Sequence, residues 1–234
     1  MQKKVRLILC LLFIVSVAGV TVWRSCSRYD AEETGAEGKA CQNSIVTICC
    51  EHGAGNAVLM CEKEGSYVLC TAGHVLQGLA GLQAEEIQMQ VADNSVKANS
   101  FWSSDTYDVA FVEIEKNKYS EVLEGKQETG LSDAGYRNLK EDDLLWAWSY
   151  YGGELVSTEI KVNSPWILVE DFGYHMIWGT AKDTKGGMSG SGVFDCEGHL
   201  AGILCGGNES EVAVLPINII LGELKNSGID ISED

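Results

Sequence analysis

The run Gly186-Gly187-Met188-Ser189-Gly190-Ser191-Gly192 holds a serine between glycines, just ahead of the apolar pair Val193-Phe194. Glycines at 187 and 190 let the backbone turn more tightly than a Cβ tolerates. Such a turn can aim the N–H groups of Gly187 and Ser189 at one point in front of the Ser189 hydroxyl, the arrangement that stabilises a developing oxyanion. A second segment, Tyr67-Val68-Leu69-Cys70-Thr71-Ala72-Gly73-His74, is an apolar strand that ends in small residues and then presents a histidine. Small neighbours leave the ring room to approach another segment, and an imidazole suits proton shuttling near neutrality. A third segment sets Asp108 immediately before the apolar residues Val109-Ala110-Phe111-Val112. A carboxylate at the mouth of a buried strand can orient a histidine and stabilise its protonated form. Asp105 lies in the more polar part of that loop and is the poorer candidate; Ser191 is a rival hydroxyl to Ser189. Each piece alone has an ordinary reading as a loop, a half-buried histidine or a strand-start aspartate. Together they supply the nucleophile, base and orienter that covalent acyl transfer requires.

Bringing these groups together means placing several strand ends at one point. Short apolar segments punctuated by turns occupy residues 44–50, 56–61, 67–71, 86–91 and 108–115. After a polar connector over 116–143 the pattern resumes at 144–150, 155–162, 167–169, 176–178, 192–194, 200–204 and 212–215. Residues 216–224 read as a closing helix whose buried face is Ile217, Ile220, Leu221 and Leu224. With 26 glycines and two prolines, this predicts an all-β protein of two antiparallel barrels side by side, over 43–130 and 131–226. Residues 227–234 form a tail.

The N-terminus stands apart. Lys3, Lys4 and Arg6 precede an uncharged run from Leu7 to Trp23 that ends at Arg24. Residues 1–25 are expected to be a signal anchor, a single membrane helix, because the apolar run continues past Ala18. A signal peptide cleaved after Ala18 is the alternative, given the small residues Ser16 and Ala18. Either way the remainder is expected outside the cytoplasm, joined by a flexible acidic linker over 26–42. Setting aside Lys3, Lys4 and Arg6 leaves 14 basic against 34 acidic residues, a net of −20. That surface repels phosphate backbones, so nucleic acid is not expected as a partner. Eight cysteines lie outside the apolar run, and an even number in an exported domain suggests disulfides, with Cys49 or Cys50 to Cys61 and Cys61 to Cys70 as candidates across adjacent hairpins. Free buried thiols are the alternative. The spacings do not read as a zinc site, and no metal or other cofactor is expected.

With residues 74, 108 and 189 in that order, the sequence resembles the trypsin-like serine peptidases, which carry T-A-x-H, D-[IVL]-A and G-[DN]-S-G-[GS]. Here these stand as Thr71-Ala72-Gly73-His74, Asp108-Val109-Ala110 and Gly187-Met188-Ser189-Gly190-Ser191. The local likeness is to the bacterial glutamyl-endopeptidase and high-temperature-requirement branches, through Val193-Phe194, Leu200-Ala201-Gly202-Ile203 and Val214-Leu215-Pro216-Ile217. The resemblance implies two six-stranded chymotrypsin-like barrels and an endopeptidase that works through an acyl-enzyme. It makes His74 the general base, Asp108 its orienter and Ser189 the nucleophile, with Gly187 and Ser189 as oxyanion donors. It puts Asp183 and Thr184 at the S1 pocket and Ile203, Leu204 and Gly206 on the strand edge that receives substrate backbone by β-augmentation. Two departures stand out: Met188 replaces the usual Asp or Asn, which rules against activation by an inserted N-terminus, and Gly192 replaces the usual proline, which predicts a looser nucleophile loop. Protein or peptide is the expected substrate. The competing readings are an inactive peptidase fold that only binds peptides and, more remotely, a redox protein using Cys49 and Cys50.

Overall fold

The computed structural model describes residues 41–51, 53–63, 65–77, 79, 88–229; the expected signal anchor or signal peptide, most of the acidic linker and the end of the tail lie outside the described residues. Among the described residues no helix is long and apolar enough to cross a membrane.

The first half folds into one antiparallel sheet of seven strands: β1 (Ile45–Cys50), β2 (Gly53–Lys63), β3 (Ser66–Thr71), β4 (Gln88–Val91), β5 (Asn94–Lys97), β6 (Ser100–Ser103) and β7 (Ala110–Glu115). Their spatial order is β5-β4-β1-β2-β3-β7-β6. This differs from the expected six-stranded barrel. β5 and β6 were not anticipated because each is four residues long, and β5 has Val96 as its one buried side chain, too little for an alternating pattern. β3 lies between β2 and β7 and all six of its residues are buried, which explains why it reads as an unbroken apolar run.

A connector carrying the short helices α1 (Lys116–Tyr119) and α2 (Ala134–Arg137) leads to the second half. There β8 (Leu144–Tyr151), β9 (Glu154–Val169), β10 (Tyr174–Ala181), β11 (Gly192–Phe194), β12 (Leu200–Gly207) and β13 (Glu211–Pro216) close into a six-stranded barrel in the order β10-β13-β12-β11-β8-β9. Residues 167–169 are not a separate strand. They continue β9, whose pairing with β10 passes through register shifts around Trp178. In β9, Thr158, Ile160 and Val162 point inward while Glu159, Lys161 and Asn163 point to solvent. The barrel core comprises Leu145, Ala147, Ile160, Val162, Ile177, Val193, Leu204, Val212 and Val214. The closing helix α3 (Ile217–Asn226) buries Ile217, Ile220 and Leu224 as expected, with Leu221 at the edge of the core.

Among the described residues, the disulfides expected across the hairpins are not formed. Cys49, Cys50, Cys61, Cys70, Cys196 and Cys205 are free thiols. The strand register gives the reason for the hairpin pairs: Cys61 faces Val68, Cys70 faces Val58, and Cys49 and Cys50 face Ala54 and Gly53.

Candidate active site

Three strand ends meet between the two sheets. β3 runs through Thr71 into a 3-10 turn, Gly73–Leu76, that carries His74. Asp108 precedes β7, which pairs with β3, so the ladder that aligns Thr71 with Ala110 also sets the aspartate beside the histidine turn. The carboxylate grips the turn twice. Oδ2 lies 2.7 Å from His74 Nδ1, and Oδ1 accepts the His74 backbone N–H at 2.8 Å. Room for this depends on Gly73, since a Cβ there would come within 3.2 Å of Asp108 Oδ1. The Asp108 side chain is 15% exposed and the imidazole 39%, so the far edge of the ring is open to a reactant. Asp105 is exposed and makes no hydrogen bond or ion pair with the ring.

Ser189 comes from the second barrel. Its turn has positive φ at Gly187 (+94°) and Gly190 (+81°), the left-handed region expected from the sequence. At Gly190 no side chain fits, because a Cβ would overlap the Asn56 carbonyl oxygen and Thr71 Oγ1. The turn is tied by Met188 N–H to Lys185 O at 3.2 Å and Gly190 N–H to Leu204 O at 2.8 Å. The N–H groups of Gly187 and Ser189 find no acceptor among the described residues. Ser189 O accepts the Asn56 N–H at 2.8 Å, which seats the turn on β2 beside the histidine turn. A Cβ on Gly55 would touch both Ser189 O, at 2.6 Å, and Val75 Cγ2, at 2.9 Å. Ser189 Oγ and the imidazole are not hydrogen-bonded to each other, as is common for such pairs without substrate. The rival Ser191 is buried and engaged: its hydroxyl lies 2.6 Å from both Ser149 Oγ and the Met188 carbonyl.

The two sequence departures have structural explanations. Met188 is 4% exposed and packs in the barrel core, so the space takes an apolar side chain instead of a charge. Gly192 does not loosen the loop as expected. It pairs with both Trp148 and Ile203, and a Cβ there would meet the Phe194 ring and Ile45 Cδ1.

The proposed substrate-binding residues divide. Ile203 and Leu204 do not line an open edge. Ile203 pairs with Gly192 and Leu215, and Leu204 bonds through both its backbone groups to the Ser189 turn. Beyond Leu204 β12 has no β11 partner; there Cys205 is buried, Gly206 is half-buried against Phe172 and Gly207 is exposed. Asp183 is exposed at φ +63°, and Thr184 Oγ1 donates to Asn208 O at 2.7 Å.

Sequence reasoning missed four residues. Tyr174 Oη accepts the Asp108 N–H at 2.8 Å, and its ring lies edge-on to Tyr107 with centroids 4.9 Å apart. Phe172 covers Gly206, where a Cβ would come within 3.1 Å of the ring. Cys205 Sγ lies 3.5 Å from Asp108 O. Burial above all, and then the Asp108 charge, pushes this thiol well up; burial likewise raises the Tyr174 phenol. Both therefore face the aspartate as neutral groups. Asn56, the fourth, is buried completely. Tyr174 and Cys205 gave no signal beyond ordinary strand residues, nor Phe172 beyond an ordinary turn residue; Asn56 was visible as an amide inside the apolar segment of β2.

Two β-structures clasping a histidine–aspartate pair and a glycine-framed serine define the chymotrypsin-type serine-protease fold. The chain belongs to the trypsin-like peptidase domain family, whose model matches residues 55–203. Structural neighbours agree. The inactive form of Rv3671c from M. tuberculosis, a serine-to-alanine mutant, superposes with TM-score 0.63 at 18% identity over 91% of this chain and all of that one. The HtrA-type protease AlgW, solved with a decapeptide, gives 0.59 at 15% identity over 82% of this chain and 67% of its own. Deg5 gives 0.57 at 21% identity, covering 80% and 89%. No curated protein sequence is similar enough to count as a match.

Proposed function

We propose that the protein is a serine endopeptidase acting outside the cytoplasm, tethered by its N-terminal apolar segment. The observation that carries the catalytic reading is the two-point grip of Asp108 on His74. It holds the Nδ1 edge of the ring and leaves Nε2 as the base. In the first step Ser189 Oγ attacks the scissile carbonyl while its proton passes to His74 Nε2. The N–H groups of Gly187 and Ser189 receive the oxyanion, one such donor being worth about 2.7–4 kcal/mol of barrier. Collapse breaks the C–N bond, and His74 returns the proton to the leaving amine. Water, deprotonated by the same ring, then releases the acyl group and restores Ser189. The unpaired edge of β12 at Gly206 and Gly207 supports binding of an extended peptide by strand pairing, and the HtrA-type neighbour AlgW was solved with a decapeptide. Exposure of Asp183 speaks against a deep basic-side-chain pocket built on it, so the P1 preference rests on the peptide profile below.

A second reading, a peptide-binding protein without turnover, draws on the missing Ser189–His74 hydrogen bond. Fluorophosphonate labelling of wild type, Ser189→Ala and His74→Ala separates the two. Labelling that both substitutions abolish establishes the activated serine, and cleavage of a peptide library then defines P1. A folded wild type that stays unlabelled sinks the peptidase reading.

A further inference from the structure

We propose that Asn56 is a positioning residue that holds the nucleophile turn in its oxyanion-binding shape; this rests on the reading of Ser189 as nucleophile. Asn56 lies in β2 with no solvent exposure, yet it is an amide in an otherwise apolar stretch, a residue type depleted in strands. All its polar groups are used. Its N–H donates to Ser189 O at 2.8 Å and its carbonyl accepts Thr71 Oγ1–H at 2.6 Å. Its side-chain Nδ2 donates to Gly187 O at 3.1 Å and Tyr150 O at 3.4 Å, and Oδ1 accepts the Tyr150 N–H at 2.7 Å.

The consequence follows from how peptide planes alternate. The oxyanion donors sit in the peptides joining 186 to 187 and 188 to 189. Asn56 instead binds the carbonyls of Gly187 and Ser189, in the peptides joining 187 to 188 and 189 to 190. The plane that carries Ser189 N–H is therefore bracketed on both sides by planes pinned to Asn56, and the plane that carries Gly187 N–H adjoins one of them. Gly187 and Gly190 have the conformational freedom to rotate these planes. The amide of Asn56 removes it, and through Tyr150 it anchors the same turn to the end of β8. One side chain of the first sheet thus sets the geometry of a loop in the second.

The test uses full-length wild type, Asn56→Leu and Asn56→Asp. Leu has nearly the same shape but no donor. Asp keeps the acceptor for Tyr150 N–H and regains a donor only when protonated. Expected for Asn56→Leu is a fall in kcat of about 10²-fold, from a misplaced oxyanion site. KM should stay within about twofold, since the β12 edge at Gly206 and Gly207 proposed to receive peptide is untouched. Amide hydrogen exchange should rise in residues 186–192 and 148–151 and not in β10 or β13. For Asn56→Asp, burial raises the carboxyl pKa, so kcat relative to wild type should recover as pH falls through that pKa. A purely structural role would move stability without this recovery. If Asn56→Leu fails to fold, Asn56→Asp carries the test. Folded variants with wild-type kcat and wild-type exchange in 186–192 would overturn the proposal. If wild type itself shows no turnover, the peptidase reading fails, and the exchange comparison still decides the role of Asn56.

Discussion

Asp108 is the residue with the least freedom in the site, since both carboxylate oxygens are committed to His74 and its own N–H to Tyr174. An amide in its place preserves the shape but presents an N–H where the ring needs an acceptor. Asp108→Asn is expected to lower kcat by about 10⁴-fold, with peptide binding retained, as steady-state kinetics on a cleaved peptide would show. Gly190 has no such graded response. Its φ is +81° and the neighbouring Asn56 carbonyl and Thr71 hydroxyl leave no space for a methyl group. Gly190→Ala should abolish fluorophosphonate labelling and lower the denaturation midpoint, and a labelled, wild-type-stable variant would contradict the geometry described for the turn.

At the scale of elements, the site depends on β10 as much as on β3 and β7, whose ends set His74 beside Asp108. Tyr174, at the start of β10, closes an aromatic group with Tyr107 and Phe172 and supplies the acceptor for the Asp108 N–H. Tyr174→Phe keeps the ring packing and removes that acceptor, so a stability loss of about 1 kcal/mol is expected in urea denaturation. Cys205 makes a similar contribution from β12: its thiol sits against Asp108 O, neutral because burial disfavours the thiolate. It should be inert to iodoacetamide in the native protein, whereas the exposed Cys196 should react readily.

For the molecule as a whole, these buried thiols set a pH dependence. Burial pushes Cys61 up to about 11 from an ordinary 9.0, and it also raises Cys70 and Cys205 well above their ordinary value. In the unfolded chain the same thiols ionise near their ordinary value. Above that pH the unfolded state therefore holds fewer protons than the native one, and stability falls as pH rises. The full contribution is present below pH 9, and each such thiol costs about 1.4 kcal/mol per pH unit above it, with Cys61 levelling off once its folded pKa is passed. Denaturant titrations at pH 7.5 and 10 would reveal the slope; a flat profile would mean that the thiols are not buried as described. Denatured without reductant, the protein should also expose Cys49, Cys50, Cys61, Cys70, Cys196 and Cys205 as titratable thiols.

What the sequence by itself determined is local. The histidine after an apolar strand, the aspartate before one and the glycine-framed serine are each legible because chain direction and turn chemistry specify them over a few residues. The closed second barrel and the closing helix follow from the same kind of periodicity. Tertiary structure decided what depends on register and on contacts between distant segments. The seventh strand of the first sheet, the cysteines left unpaired opposite valine, alanine and glycine, and the burial of Ile203 and Leu204 away from the open edge are of this kind. So is Asn56, whose partners lie 94 and 131 residues away along the chain. A hydrogen bond of that span leaves no periodic trace in the sequence, since only the docking of one sheet against the other brings the amide to the turn.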